Sequence, residues 1–320
     1  MSSKWPKPFT AAVVQAGSIA FDTPATITKL GDLASDARAQ RASLVVFPEA
    51  FIGGYPKGHD FGAVVGERTE EGRDWFRRYF DAAITVPGPE LDQIAKASRG
   101  LNLVVGVIER EHGTLYCSVV FLGAQGELLG VHRKLMPTAA ERLIWGFGDG
   151  STMPVMETTV GRIGAAICWE NYMPLYRSTL YSKGIQVWCA PTVDSRERWS
   201  ATMRHIALEG RVFVLSANQF SVRGDYPADY ETIYGDDPDT VLIGGGSCIV
   251  DPHGQFLAEP NRTGETILAA EIDLSEIVRG TFDFDPVGHY ARPDVFQLVV
   301  DERARPSVIS ADQPPADLGG

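Results

Sequence analysis

Short apolar runs of strand length alternate along this chain with segments of helical period, and few folds besides a layered α/β sheet protein accommodate that order. The runs at residues 11–15, 44–47, 101–108, 186–190, 213–217 and 267–272 predict strands. Residues 116–122 with 128–131, and 247–250 with 255–258, predict two hairpins, the second around Asp251-Pro-His-Gly254. Residues 159–167 are strand-rich. Helical spacing predicts helices over 25–40, 91–99, 172–183 and 196–209. In the first of these, Ile27, Leu30, Leu33, Ala34 and Ala37 fall on one face. Two stretches interrupt the alternation. Residues 53–80 are rich in glycine and charge, and residues 222–239 carry six acidic side chains against one arginine. They read either as solvated loops or as loops at a pocket mouth or subunit contact. With no internal repeat and no linker, the expectation is one domain over residues 1–300. The tail 301–320 is expected to be flexible.

Three of the apolar runs end in a residue with chemistry. Gly164-Ala-Ala-Ile-Cys168 leads into Cys168-Trp-Glu-Asn-Tyr-Met-Pro174, a strand followed by a turn that enters a helix. Backbone N–H groups freed at such a turn favour negative charge, on a thiolate or on an anion forming beside it. Cys168 there is a candidate nucleophile, or a small apolar filler. In Leu44-Val-Val-Phe-Pro-Glu49 the proline cannot continue a sheet ladder, so Glu49 belongs at a strand's carboxyl edge. Gly130-Val-His-Arg-Lys134-Leu-Met-Pro137 brings a lysine to a similar place. Each charge alone is more often a solvated strand end than a catalyst. A carboxylate, an ammonium and a thiol delivered together to strand ends form a coherent chemical set, because open α/β sheets collect their sites there. His132 lies two residues before Lys134, and either orients the site or packs.

These stretches resemble the nitrilase superfamily of carbon–nitrogen hydrolases, and within it the nitrilase branch. The matching residues are Phe47-Pro-Glu-Ala-Phe-Ile-Gly-Gly-Tyr-Pro56, His132-Arg-Lys-Leu-Met-Pro-Thr-Ala-Ala-Glu-Arg142, Trp145-Gly-Phe-Gly-Asp-Gly-Ser151 and Cys168-Trp-Glu-Asn-Tyr-Met-Pro174. Met203-Arg-His-Ile-Ala-Leu-Glu-Gly-Arg211 and Gly288-His-Tyr-Ala-Arg-Pro-Asp-Val295 match as well, so the resemblance spans residues 9–296. It implies a four-layer α-β-β-α sandwich, which periodicity alone does not show. It implies Cys168 as nucleophile, Glu49 as base, Lys134 as electrostatic support, and Glu141 as a second acid–base or positioning group. Hydrolysis of an organic nitrile by two waters to acid and ammonia follows, with no cofactor and no metal. Trp169, Tyr55 and Trp145 are the aromatics expected at the pocket, and they lean the substrate toward arylaliphatic or aromatic nitriles. The resemblance also implies self-association into dimers that extend into spirals, with the two interrupting stretches as contacts. An amidase, a cyanide- or nitrile-hydrating relative and an N-acyl transferase would use the same thiol.

Composition limits the partners. A net charge of −12 over 320 residues argues against nucleic acid and against a polybasic membrane anchor. No apolar run approaches a bilayer span, and the first residues lack the apolar core of a signal peptide. Cys117, Cys168, Cys189 and Cys248 have no Cys-x-x-Cys spacing, so neither a disulfide framework nor a zinc site is expected. Reduced thiols in a cytoplasmic protein are the expectation.

Overall fold

Two six-stranded sheets stack face to face in the computed structural model, which describes residues 7–306 and 308. The first sheet contains β1 (Phe9–Gln15), β2 (Ala42–Val46), β3 (Asn102–Glu111), β4 (Thr114–Leu122), β5 (Leu128–Arg133) and, at its far edge beside β1, β12 (Thr266–Ile272). The second contains β6 (Val155–Thr158), β7 (Gly161–Ala165), β8 (Val187–Cys189), β9 (Phe213–Ser216), β10 (Ser247–Val250) and β11 (Phe256–Asn261), ordered β11-β10-β9-β8-β7-β6. Parallel pairing joins β1 to β2 and β2 to β3, with Val45 opposite Leu103. Because β4 is antiparallel to both of its neighbours, β5 runs in the same direction as β2 and β3. In the second sheet β7, β8 and β9 are parallel.

The period-2 alternation of the strands decides the layering. Ala11, Val13, Leu44, Val46, Val104 and Phe121 of the first sheet meet Ile163, Val187, Phe213, Leu215 and Ile249 of the second in one central core. Their neighbours Ala12, Val14, Val45 and Leu103 face outward onto α1 (Thr23–Ala39) and α3 (Pro89–Ala97), through Ile27, Leu30, Ala34, Leu91 and Ile94. On the other side Trp188, Val214 and Val250 pack against α4 (Pro174–Ser182) and α5 (Arg198–Gly210), through Tyr176, Leu180, Trp199, Met203 and Ile206. Each such large apolar side chain contributes about 1.5–3 kcal/mol on burial. The order of layers is α-β-β-α, as the resemblance implies. Among the described residues no helix is long and apolar enough to cross a membrane.

The structure departs from periodicity in four places. The 159–167 stretch is not one strand: β6 and β7 form a hairpin that turns at Thr159-Val160 and uses a positive φ at Gly161. The 172–183 helix starts later, at Pro174, because residues 168–172 form a 3₁₀ turn. The 53–80 stretch ends in α2 (Glu70–Ala82), where Thr69 caps the Gly72 N–H and Glu70 and Glu71 fill the first turn. Six charged side chains between Glu70 and Arg78 hide that helix from an apolar scan. Its inward face rests on Trp75 and Tyr79, one turn apart, inside a cluster with Phe21, Phe61 and Tyr230. A last helix, α6 (Ser275–Asp283), follows β12.

The two interrupting stretches pack on each other. Tyr226 and Tyr230 donate to the carbonyls of Tyr55 and Lys57, Ile233 N donates to Gly58, and Arg78 pairs with Asp229 at 2.7 Å. Of the expected tail, residues 301–306 lie along the second sheet's side, with Arg305 N on Asp149 and Lys183 on Glu302. The rest of it, apart from Val308, lies outside the described residues.

Candidate active site

The carboxyl ends of β2 and β5 in one sheet and of β7 in the other point into the same space. Past β2, Phe47 N still bonds the Val104 carbonyl, and Pro48 then ends the ladder. The chain turns at Ala50, φ +51°, and rejoins β3 through Ile52. This crossing needs a glycine beneath it: a Cβ on Gly106 would lie 2.1 Å from the Pro48 oxygen and 2.7 Å from the Glu49 Cα. Glu49 is thereby held fully buried, with its carbonyl bonded by the Gln219 side chain at 2.8 Å.

Lys134 is the first residue past β5, not a strand residue, yet its N–H still bonds Cys117 O at 2.8 Å. Its ammonium is fully buried and bridges two carboxylates, 2.6 Å from Glu49 Oε1 and 2.8 Å from Glu141 Oε2. Glu141 is carried by the 3₁₀ turn Ala139–Leu143. Its Oε2 closes a capping box on Thr138 N, and its Oε1 accepts from the Tyr55 hydroxyl at 2.7 Å.

Cys168 starts the 3₁₀ turn with φ +49°, a left-handed conformation that non-glycine residues seldom adopt. The turn is stapled from several sides. Cys168 N donates to Pro191 O at 2.8 Å, and Asn171 Nδ2 donates to the Ala166 and Cys168 carbonyls. Glu170, buried, accepts from Ile167 N and Leu135 N, so one carboxylate ties the Cys168 turn to the Lys134 segment. His132 completes that tie. Its two ring nitrogens face Thr152 O and Glu170 Oε2, both acceptors, which calls for the imidazolium. Burial pulls its pKa down, and the Glu170 carboxylate more than compensates, leaving it raised. His132 therefore orients the site through Glu170.

The charges in this space are strongly coupled. Burial pushes the Glu49 carboxyl up to about 7; Lys134 opposes that rise and Glu141 adds to it. Burial, with the nearby Glu49 carboxylate, pushes the Cys168 thiol well above its ordinary value. Burial works against the Lys134 ammonium, but Glu49, Cys168 and Glu141 outweigh it and hold it charged. One Glu49 oxygen is taken by Lys134 and by the Cys117 thiol at 3.6 Å; the other, Oε2, is buried without a formed hydrogen bond. A proton passing from the Cys168 thiol to Glu49 only moves a negative charge within the cluster, since the total does not change.

A cleft of about 420 Å³ opens beside Glu141, lined by Tyr55, Phe61, Ile144, Trp145 and Tyr234 among others. The two interrupting stretches thus form its mouth. Trp145 is buried, edge-on to Tyr55 and 5.5 Å from Lys134 Nζ. The Trp169 ring is placed elsewhere. It is 42% exposed, with Nε1 on Asp194 and the Arg196 guanidinium over its face, because Glu170 and Asn171 occupy the inward side of the turn. Among the described residues no group of three or more histidine, cysteine or carboxylate side chains is arranged to hold a metal ion.

Sequence reasoning passed over Glu170, Cys117 and Thr192. Glu170 was visible as the third residue of the turn that Cys168 opens, the usual place for a capping carboxylate. Thr192 follows Val187-Trp-Cys-Ala-Pro191, an apolar run closed by proline, the same pattern that marks Glu49. Cys117 sits mid-strand, where nothing local distinguishes it.

The model of the carbon–nitrogen hydrolase family matches residues 10–280. A nitrilase of Bradyrhizobium diazoefficiens is 58% identical over 310 residues, 96% of this chain and 97% of that protein. A bifunctional nitrilase/nitrile hydratase of Lupinus angustifolius is 58% identical over 297 residues, 91% of this chain and 85% of that one. Among solved structures, Nit3 of Saccharomyces cerevisiae, a nitrilase-superfamily protein, superposes with a TM-score of 0.68 at 20% identity, over 90% of this chain and 98% of that one. With its four layers and these relatives, the chain belongs to the carbon–nitrogen hydrolase family, in the nitrilase branch of that superfamily.

Proposed function

We propose that this protein is a nitrilase that hydrolyses an organic nitrile to a carboxylic acid and ammonia through a cysteine-bound thioimidate and thioester. The observation that carries this reading is the fully buried Glu49–Lys134 pair, joined by Glu141, beside Cys168, with Glu49, Lys134 and Cys168 at carboxyl edges of two facing sheets. Glu49 takes the thiol proton on its unpartnered Oε2. The Cys168 sulfur attacks the nitrile carbon, one C–N bonding pair moves to nitrogen, and Glu49 returns the proton there. Lys134 and the Trp169 N–H stabilise the charge that develops on nitrogen. Water, positioned by Glu141 and deprotonated by Glu49, adds to the thioimidate. Glu49 passes that proton to the nitrogen, then carries the hydroxyl proton to the amine as the oxygen closes to a carbonyl; ammonia leaves, and a second water hydrolyses the thioester to acid and restores the thiol.

The apolar cleft at Tyr55 and Trp145 supports an organic side group over cyanide itself, and its aromatic walls fit an aryl or arylaliphatic nitrile. The bifunctional relative from Lupinus favours a second product, amide, released when the tetrahedral carbon expels sulfur in place of nitrogen. A cytoplasmic setting accords with four thiols, all free and buried.

Ammonia and acid release from a panel of nitriles, with amides as controls, tests the reading. We expect acid as the main product, and kcat/KM that falls below an apparent pKa near 7, since a base raised to about 7 is active only when deprotonated. Amide as sole product from every nitrile would contradict it.

Self-association is part of the same proposal. Exposed Val64 and Val65 on the 53–80 stretch, and Ile233 on the 222–239 stretch, whose N–H bonds the Gly58 carbonyl, supply apolar contact surface. Light scattering on active enzyme is expected to give a dimer or larger. An active monomer at working concentration would refute this.

A further inference from the structure

We propose that Thr192 is a catalytic residue: its hydroxyl donates to the Cys168 sulfur whenever that sulfur is anionic, before attack and again when the carbon–sulfur bond breaks. The proposal rests on the nitrilase reading for its second half and on geometry alone for its first.

Thr192 is fully buried, and its Oγ1 lies 3.3 Å from the Cys168 Sγ. That contact is a hydrogen bond between the two side chains. Its direction is set by its neighbours. Asp194 N donates to Oγ1 at 2.9 Å, so a lone pair is occupied and the hydroxyl proton is left for sulfur. The backbones are locked to match. Cys168 N donates to Pro191 O at 2.8 Å, and Thr192 N donates to Ala217 O at 2.9 Å. The two residues thus sit on adjacent strand ends of one sheet, where β7 and β8 run parallel. Glu49 and Lys134 handle the proton and the developing charge on nitrogen. A thiolate in a buried site still needs a donor of its own, and Thr192 supplies it.

The consequence lies in product partition. After water adds, the tetrahedral carbon bears nitrogen, hydroxyl and sulfur. On the amide route the C–S bond breaks with its electron pair on sulfur, the hydroxyl oxygen closes to a carbonyl, and its proton passes through Glu49 to the thiolate. On the acid route the C–N bond breaks instead: the hydroxyl oxygen closes to a carbonyl, its proton passes through Glu49 to nitrogen, and ammonia leaves a thioester. A donor at sulfur lowers the barrier for C–S cleavage and leaves C–N cleavage untouched.

Two readouts test this on the full-length enzyme. The first is the pH dependence of Cys168 alkylation by iodoacetamide, followed by peptide mass, which needs no substrate. Thr192→Val and Thr192→Ala should raise the midpoint by about one pH unit, the effect of one hydrogen bond to an anion, and Thr192→Ser should restore it. The second is the amide-to-acid ratio from an electron-poor nitrile that gives both products with wild type. It should fall roughly fivefold to tenfold in the valine and alanine variants and recover in serine. A merely structural role would lower total rate and leave both quantities in place. An unchanged midpoint in folded Thr192→Val and Thr192→Ala overturns the proposal, as does an unchanged ratio. Should wild type turn over no nitrile at all, the functional reading fails, while the alkylation midpoint still decides whether Thr192 serves the sulfur.

Discussion

Cys168→Ala is expected to abolish nitrile turnover, by on the order of 10⁴-fold or more, while the protein stays folded. The size follows from covalent catalysis, since no other group in the space can form the thioimidate and loss of a nucleophile removes the whole pathway. The three remaining thiols do not substitute. Cys117 is buried and already committed to Glu49, while Cys189 and Cys248 are buried, the latter in the outer layer of the second sheet. Folding should survive because the turn around Cys168 is held by backbone and by Asn171, Glu170 and Trp188, none of which bonds the sulfur. Removing one buried sulfur and the Thr192 partner costs about 1–2 kcal/mol, a shift of a few degrees in Tm. The measurements are ammonia release, thermal melting, and intact mass after mixing with substrate. Wild type should show an adduct and the variant none. Turnover persisting in a folded Cys168→Ala would remove Cys168 from the mechanism.

Lys134→Arg is expected to cost at least about two orders of magnitude in kcat, with a smaller change in KM. Charge is retained in this variant, so the loss reads placement. The Lys134 ammonium is a point donor seated between carboxylate oxygens at 2.6 and 2.8 Å, with no exposed surface and the Trp145 ring 5.5 Å away. A guanidinium is planar and wider, and it prefers to grip one carboxylate with two parallel bonds. It would pull Glu49 and Glu141 out of their separate tasks, and crowd Trp145. Neutral replacement is the less informative experiment. It would leave the fully buried Glu49 and the partly buried Glu141 without a counter-charge, at a cost of roughly 3–5 kcal/mol, and lost folding would mask lost catalysis. Steady-state kinetics on Lys134→Arg separates kcat from KM, and a near-normal kcat would make Lys134 peripheral.

Together with the Glu49 acid limb, these variants address different links of one chain. Cys168→Ala tests the bond that forms, Lys134→Arg the charge that accompanies it, and the pH profile the proton that must move first. In the proposed mechanism Glu49 acts as base with a pKa that burial has raised, and the same burial would silence it without Lys134 close by. Its neighbourhood therefore has to be fully enclosed, and Gly106 illustrates how closely: a methyl group there would meet the backbone of Pro48 and Glu49.

Glu49, Lys134 and Cys168 were legible in the sequence because each stands where an apolar run stops, and an abrupt stop is a local signal. The α/β layering was legible for the same reason, through strands whose alternate residues are all apolar. α2 was not, since its exposed face is a run of charge and its apolar contact depends on Trp75 and Tyr79 finding Phe21 and Tyr230 from distant segments. Trp169 shows the reverse case. Adjacent to Cys168 in sequence, its ring is turned outward by a left-handed residue and a 3₁₀ turn, a conformation that local pattern does not announce.

By itself the sequence determined that a thiol, a carboxylate and an ammonium stand at strand ends, because strand termination is a short-range property of apolar runs, prolines and turns. Tertiary structure alone decided that strand ends from two different sheets face one another, 119 positions apart between Glu49 and Cys168. It also decided which oxygen of Glu49 is left open, that Glu170 and His132 lash the two segments together, and that Thr192 meets the sulfur. Those outcomes depend on burial and on distances between residues far apart in the chain, and pKa values follow from burial and distance rather than from residue identity.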